Sequence, residues 1–463
     1  MIEKDKQGWK EAWGVGLAIY VAGLSVLMCG PQPAKAAEPS FEPAPVLAAS
    51  EILPADLLKG PHHKVEERVP SDGIMLTFQI TSDFGEFSAI GQPLLAERVR
   101  EVRALAELDR ISKTEAFVSA VATSALGQLE TIEDFARNPV ETVTGLPGGV
   151  KRLFRRYQRD LREGYEKAKE VGESVSEAVT EVVTGTGGDK ETTEKESSGG
   201  LVAGVVEGAT DAVESYGKRY FGLTRSEREW YAKLEVDPYT SNRVLRKRIE
   251  RMARVTAAGN FAVKFVEIPE IPGADVVEKV NRIVWSTDPR KLRDENRKRL
   301  GAAGADPELI EKFMANPNLT PSLQTALVAQ MIQLDGVRNS DFLVELAAAV
   351  ESEIQARVFL GSVEILTHYH RGSKSIAEIV PVARIPVART EQGILAIFVA
   401  VDHLSWTEDL AGRSVELLDA LSGGTAPKAK ELWLGGEASS RFREELESRG
   451  WKVNTDGAQP AKS

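Results

Sequence analysis

Hydrophobic and polar positions fall into distinct patterns along the chain, and each pattern predicts a different kind of element. Residues 15–29 (VGLAIYVAGLSVLMC) are apolar without a charge. They follow a polar segment in which Lys4, Lys6 and Lys10 are offset by Glu3, Asp5 and Glu11, and they precede Gly30-Pro31 and Ala34-Lys35-Ala36. A polar flank, an apolar core and an A-x-A site predict a cleavable secretory signal over residues 1–36. The run is shorter than the roughly 20 residues that cross a bilayer, which argues against a retained anchor. Met28 also stands where a lipid-modified cysteine is normally preceded by a small residue, which argues against lipidation of Cys29.

Residues 37–60 are rich in proline and alanine at their start and predict a flexible leader. Alternation in Thr77-Phe78-Gln79-Ile80-Thr81 and again in Glu86-Phe87-Ser88-Ala89-Ile90, around Ser82-Asp83-Phe84-Gly85, predicts a β-hairpin. An earlier strand is expected over residues 64–68. From Leu94 the period becomes helical, with Leu95, Val99, Val102, Leu105 and Leu108 on one face. A second helix is expected over residues 113–137, stopped by Asn138-Pro139. This hairpin and helical region spans 61–184. The next stretch, 185–200 (GTGGDKETTEKESSGG), has almost nothing to bury and predicts a disordered linker.

Residues 201–372 read as a helical domain. Helices are expected over 201–222 and 225–233, and Asp237-Pro238-Tyr239-Thr240-Ser241-Asn242 supplies a turn and an N-cap for a helix ending near Ala258. Asp306-Pro307 and Thr320-Pro321 are cap-plus-proline helix starts. Long helices are expected over 321–334 and 341–367. The pattern then changes again. Two buried strands over 383–388 and 394–401, a strand over 431–434, a helix over 439–449 and a strand over 451–454 predict a small α/β (βαβ) domain over 373–455. Residues 456–463 form a disordered tail. The expected fold class is α+β, predominantly α-helical.

Composition narrows the chemistry. Of 463 residues, 42% are hydrophobic and the formal charge is −11, so the chain is an acidic globular protein and a poor general binder of nucleic acid. Cys29 is the sole cysteine, so the segment after the signal contains no thiol nucleophile and no cysteine metal cluster. No cofactor motif is present.

Three groups of residues remain. Asp402, His403 and Ser405 have the residue types of nucleophilic catalysis, but a triad is defined by geometry, and polar residues after a buried strand ordinarily mark its exposed exit. His368, His370 and His403 are the residues from which a metal site would be drawn. Residues two apart on a helix face nearly opposite ways, however, so helix-terminal histidines are the simpler reading. The helix expected over 151–162 carries Arg152, Arg155, Arg156 and Arg159 around an apolar stripe, a pattern that suits an anionic lipid surface. The simpler reading is a domain-surface helix whose arginines pair with the acidic stretch over 163–181. Leu434-Gly435-Gly436-Glu437-Ala438-Ser439-Ser440 places backbone N–H groups at a helix start, with Ser439 as its N-cap.

The chain resembles a family of uncharacterised exported bacterial cell-envelope proteins. The resemblance is carried by Asp72-Gly73, Asp83-Phe84-Gly85, Pro139-Val140-Glu141-Thr142-Val143, Val236-Asp237-Pro238-Tyr239, Val401-Asp402-His403-Leu404-Ser405-Trp406 and the unit over 432–451. It implies an envelope location and supplies no catalytic residue. The resulting expectation is an exported, soluble, non-enzymatic interaction or scaffold protein whose partner is another envelope protein. An envelope hydrolase using Asp402 and His403 ranks second. A binder of anionic membrane through the arginine helix ranks third. No transmembrane span is expected once the signal is removed.

Overall fold

A computed structural model describes residues 41–123, 223–258, 275–372, 374–382, 384–421 and 426–455. The secretory signal, the arginine helix over 151–162, the linker over 185–200 and the tail over 456–463 lie outside the described residues. Within them the protein is helix-dominated α+β. No described helix is long and apolar enough to cross a membrane.

Residues 41–60, expected as flexible, instead carry strand β1 (Val46–Ala48), two single helical turns, α1 (Ala49–Ile52) and α2 (Ala55–Leu58), and the short strand β2 (Lys59–Gly60). The alanine and leucine content that looked like linker packs inward, with Ala49, Leu53 and Leu57 buried. Next come β3 (His63–Val65), β4 (Arg68–Pro70), β5 (Thr77–Ser82) and β6 (Gly85–Ile90). The hairpin of β5 and β6 closes through Asp83-Phe84, with Ser82 paired to Gly85. The order β2-β3-β5-β6 forms one antiparallel sheet, and β1 pairs β4 in a second.

Helix α3 (Gln92–Ser112) is the spine of the structure. The leucine and valine stripe read from its period is buried, but so are Glu97, Arg98, Arg100, Glu101 and Glu107 on its other faces. Its first half covers the hairpin sheet through Leu95, Ala96 and Val99. Its second half packs with α4 (Glu115–Thr123), α5 (Arg225–Lys233) and α6 (Arg243–Ala258) through Leu105, Leu108, Tyr231 and Ile249. One core therefore runs across the boundary expected at 185–200.

Helices α7 (Asp275–Ser286), α8 (Pro289–Ala302), α9 (Pro307–Ala315) and α10 (Pro321–Met331) follow, then α11 (Phe342–Ala348) and α12 (Glu353–Arg371). Asp306 and Thr320 cap α9 and α10 as their sequence context predicts. The single helix expected over 341–367 is in fact two. Ser352 caps α12 through the Gln355 N–H, and the Asn316 amide donates to the Ala348 and Val350 carbonyls at the break. Carbonyls that a continuous helix would use internally are thus satisfied from outside.

The C-terminal sheet has the order β13-β11-β9-β8-β7, from β7 (Ile376–Ile379), β8 (Val387–Thr390), β9 (Ile394–Val399), β11 (Ala429–Leu434) and β13 (Trp451–Asn454). Strands β9, β11 and β13 are parallel, while β8 and β7 are antiparallel. The crossovers are α13 (Glu408–Ala420) and α14 (Ser440–Ser448). The expected βαβ unit is present, extended by a second parallel step and by β7. One face, with Ala388, Ala396 and Phe398, joins the core of α7 to α12. The other face, with Leu395, Leu432 and Leu434, packs against α13 and α14. Gly361 lets α12 approach the sheet, because a Cβ there would come within 2.6 Å of Ala400 Cβ.

Candidate functional site at the carboxyl ends of the parallel strands

In open parallel sheets ligands gather beyond the carboxyl ends of the strands. Here β9 ends in Val399 and β11 in Leu434, and the chain runs on as Ala400-Val401-Asp402-His403 and Gly435-Gly436-Glu437. Short strands β10 (His403–Leu404) and β12 (Glu437–Ala438) pair in parallel just past these ends. Gly436 makes the close approach feasible, since a Cβ there would lie 2.2 Å from the Asp402 carbonyl oxygen.

Asp402 is not an exposed exit residue. It is 9% exposed, and both carboxylate oxygens accept backbone N–H groups of the N-terminal region. Oδ2 accepts from Leu76 (2.9 Å) and Oδ1 from Gln92 (3.1 Å). Gln92 is the first residue of α3, whose N-cap Gly91 has no side chain to offer. Asp402 thus caps α3 from 310 residues away. Burial raises its carboxyl above the ordinary range, against the lowering effect of the two N–H donors.

His403 is part-buried. Its N–H donates to the Ile74 carbonyl (3.2 Å), and the Ser405 N–H donates to the Gly73 carbonyl (3.0 Å). The imidazole pKa is lowered by burial, with Glu42 and Glu437 opposing that shift and Arg443 adding to it. Among the described residues no side-chain hydrogen bond joins Asp402, His403 and Ser405. Asp402 faces the hairpin, and Ser405 is buried under it. Adjacent to them, Asp409 at the start of α13 pairs with Arg413 at 2.9 Å.

The glycine-containing turn before α14 already holds an anion. Ser439 caps the helix by accepting from Phe442 N–H (3.1 Å), and its hydroxyl donates to Glu42 Oε2 (2.6 Å). The Trp406 N–H donates to the same oxygen (2.7 Å), and the Glu42 N–H donates to the Trp406 carbonyl (2.9 Å). Glu42 lies in the segment expected as leader. Its separation from Ser439, 397 residues, explains why no local pattern reveals the pairing.

The histidines grouped for metal do not converge. His368 is exposed near the end of α12, and His370 Nδ1 accepts from the Ile376 N–H (3.0 Å), which fixes the turn into β7. Among the described residues no cluster of three or more His, Cys, Asp or Glu could hold a metal ion.

A second polar centre went unseen in the sequence. Arg357 on α12 pairs with Glu97 on α3 (2.7 Å) and with Glu353 (2.8 Å). Glu101 receives Arg98 (2.7 Å), the Asn242 amide (2.9 Å) and the Thr240 hydroxyl. Asp237 accepts from Ser322 Oγ (2.6 Å) and from the Tyr239 N–H (2.9 Å). Burial would raise the Glu97 carboxyl, but Arg357 and Arg98 hold it below its ordinary value. At Asp237 the Arg357 charge acts in the same sense but is outweighed, and burial together with the Glu97 charge pushes the carboxyl up to about 7. The available sign was that Glu97 and Glu101 lie one helical turn apart, like charges that repel unless partners are supplied.

No family model, curated protein or solved structure matches the chain.

Proposed function

We propose that this is an exported, non-enzymatic interaction or scaffold protein of the cell envelope. The observation that supports this reading is the use made of Asp402. The carboxylate best placed for chemistry at the strand ends spends both oxygens holding the hairpin and the start of α3. A general base needs an accessible lone pair directed at a substrate proton, whereas this carboxylate is buried, with one lone pair on each oxygen committed to the protein's own backbone. The sequence supports export through the apolar run and A-x-A site over residues 15–36.

The test is complementation in cells lacking the protein, with fractionation of the same cells. His403→Ala should restore the wild-type phenotype in full, with the protein in the envelope fraction and in a stoichiometric cross-linked complex. A folded His403→Ala protein that fails to complement would replace this reading with the envelope enzyme. A cytoplasmic location would overturn export.

A further inference from the structure

Glu42 is held as a ligand is held. Its carboxylate takes two donors, Trp406 N–H and Ser439 Oγ–H, while its own N–H donates to the Trp406 carbonyl. Both main-chain groups of Trp406 are used, in the manner of a strand added to an edge. The receiving groups are fixed without help from Glu42. The Trp406 ring packs edge-on against Phe442 at 5.8 Å, and the Arg449 guanidinium lies 5.4 Å from its centroid. Ser439 N–H donates to the Leu404 carbonyl (2.8 Å), and its hydroxyl oxygen already accepts from Phe442, which leaves the hydroxyl proton for an incoming carboxylate. Arg443, part-exposed at 31%, lies beside the site, paired with Glu437 at 3.1 Å.

The segment that fills this site is lightly held. None of residues 41–48 is buried, and Phe41 and Val46 are 39% and 50% exposed. They are two of the three large hydrophobic residues well exposed among the described residues. Glu42 stands before Pro43 and three residues ahead of Pro45. A residue preceding proline is biased to extended backbone, so the segment presents its carboxylate pre-extended. The segment is tied down at its far end, where the Ser71 N–H donates to the Pro45 carbonyl (2.9 Å) and the pairing of β1 with β4 begins at Val46.

We propose that the site between Trp406 and Ser439 is a docking site for an extended, proline-flanked peptide carrying a glutamate, and that residues 41–44 are its resident, displaceable occupant. Its biological meaning rests on the reading of the chain as an interaction protein. The binding measurement does not depend on complementation, so the two can fail separately. The experiment is hydrogen exchange on the full chain with Glu42→Ala, read at Trp406. Exchange there should rise at least tenfold over wild type. A peptide with the sequence of residues 39–45 (PSFEPAP), added at millimolar concentration, should restore protection, and the same peptide with glutamine for glutamate should not. If Glu42→Ala does not unfold cooperatively, Glu42→Gln carries the same measurement. Unchanged exchange at Trp406, equal rescue by both peptides, or rescue by neither would overturn the proposal.

Discussion

Asp402 and Glu97 are buried to nearly the same degree, 9% and 7% exposed, yet the protein handles them in opposite ways. At the junction of the hairpin with the C-terminal sheet, Asp402 is met by two backbone N–H groups and no cation. At the junction of α3 with α12, Glu97 is met by Arg357 in a two-pronged contact. Burial therefore wins at Asp402, whose pKa rises, and loses at Glu97, whose pKa falls. Neutral donors satisfy the geometry of a carboxylate without cancelling its charge, whereas a paired guanidinium does both. Asp402 tolerates a proton and Glu97 does not.

The largest test of this contrast is removal of the cation. Arg357→Met strands Glu97 in the interior and should cost about 3–5 kcal/mol in chemical denaturation, most of it recovered by adding Glu97→Gln. If the single and double variants are equally destabilised, the pair is not what holds the junction. Asp402→Ala comes next, at about 2–4 kcal/mol, because two buried N–H groups lose an acceptor. Hydrogen exchange should then quicken at Leu76 and Gln92 before other sites.

A pH series sharpens the comparison further. Asp237 has its folded pKa raised from 3.8 to about 7, so the folded state binds a proton more tightly than the unfolded state. Its stabilising contribution is complete below pH 4 and is lost as pH rises through 7. Glu97 has the opposite sign, with a contribution present above its ordinary value and lost as pH falls. Between pH 5 and 7 Asp237 lowers the denaturation midpoint as pH rises, while His63 and His403, whose imidazoles burial keeps neutral, act the other way. Asp237→Asn should therefore make the midpoint rise more, or fall less, with pH than in wild type, and an unchanged pH slope would contradict the assignment. The smallest effect is expected at His403→Ala, under about 1 kcal/mol, because its ring makes no hydrogen bond among the described residues.

What the sequence reveals follows from range. Period-two alternation located the hairpin, and cap residues located α9, α10 and α14, because a strand face and a helix end are decided within a few residues. The break between α11 and α12 escaped notice because Asn316, outside both helices, supplies the donors. The charges on α3 were expected between apolar stripes, as on a surface helix. Their burial depends on Arg357, Thr240 and Asn242, which lie more than a hundred positions away. The same holds at the strand ends. Asp402 and His403 stand out by type, but what Asp402 does is set by Leu76 and Gln92, and the role of Ser439 is completed by Glu42.

The bond from Leu76 to Asp402 closes a loop of 326 residues, and it has a consequence in time. A ribosome adding about 5–20 residues per second needs roughly 15 to 65 s to make the second partner after the first. Throughout that interval the Leu76 and Gln92 N–H groups lack their acceptor, and Ile74 and Met75, which pack against the core of the C-terminal sheet, lack their cover. Contacts this distant also form slowly once the chain is complete. The hairpin and the start of α3 are thus made early and finished last.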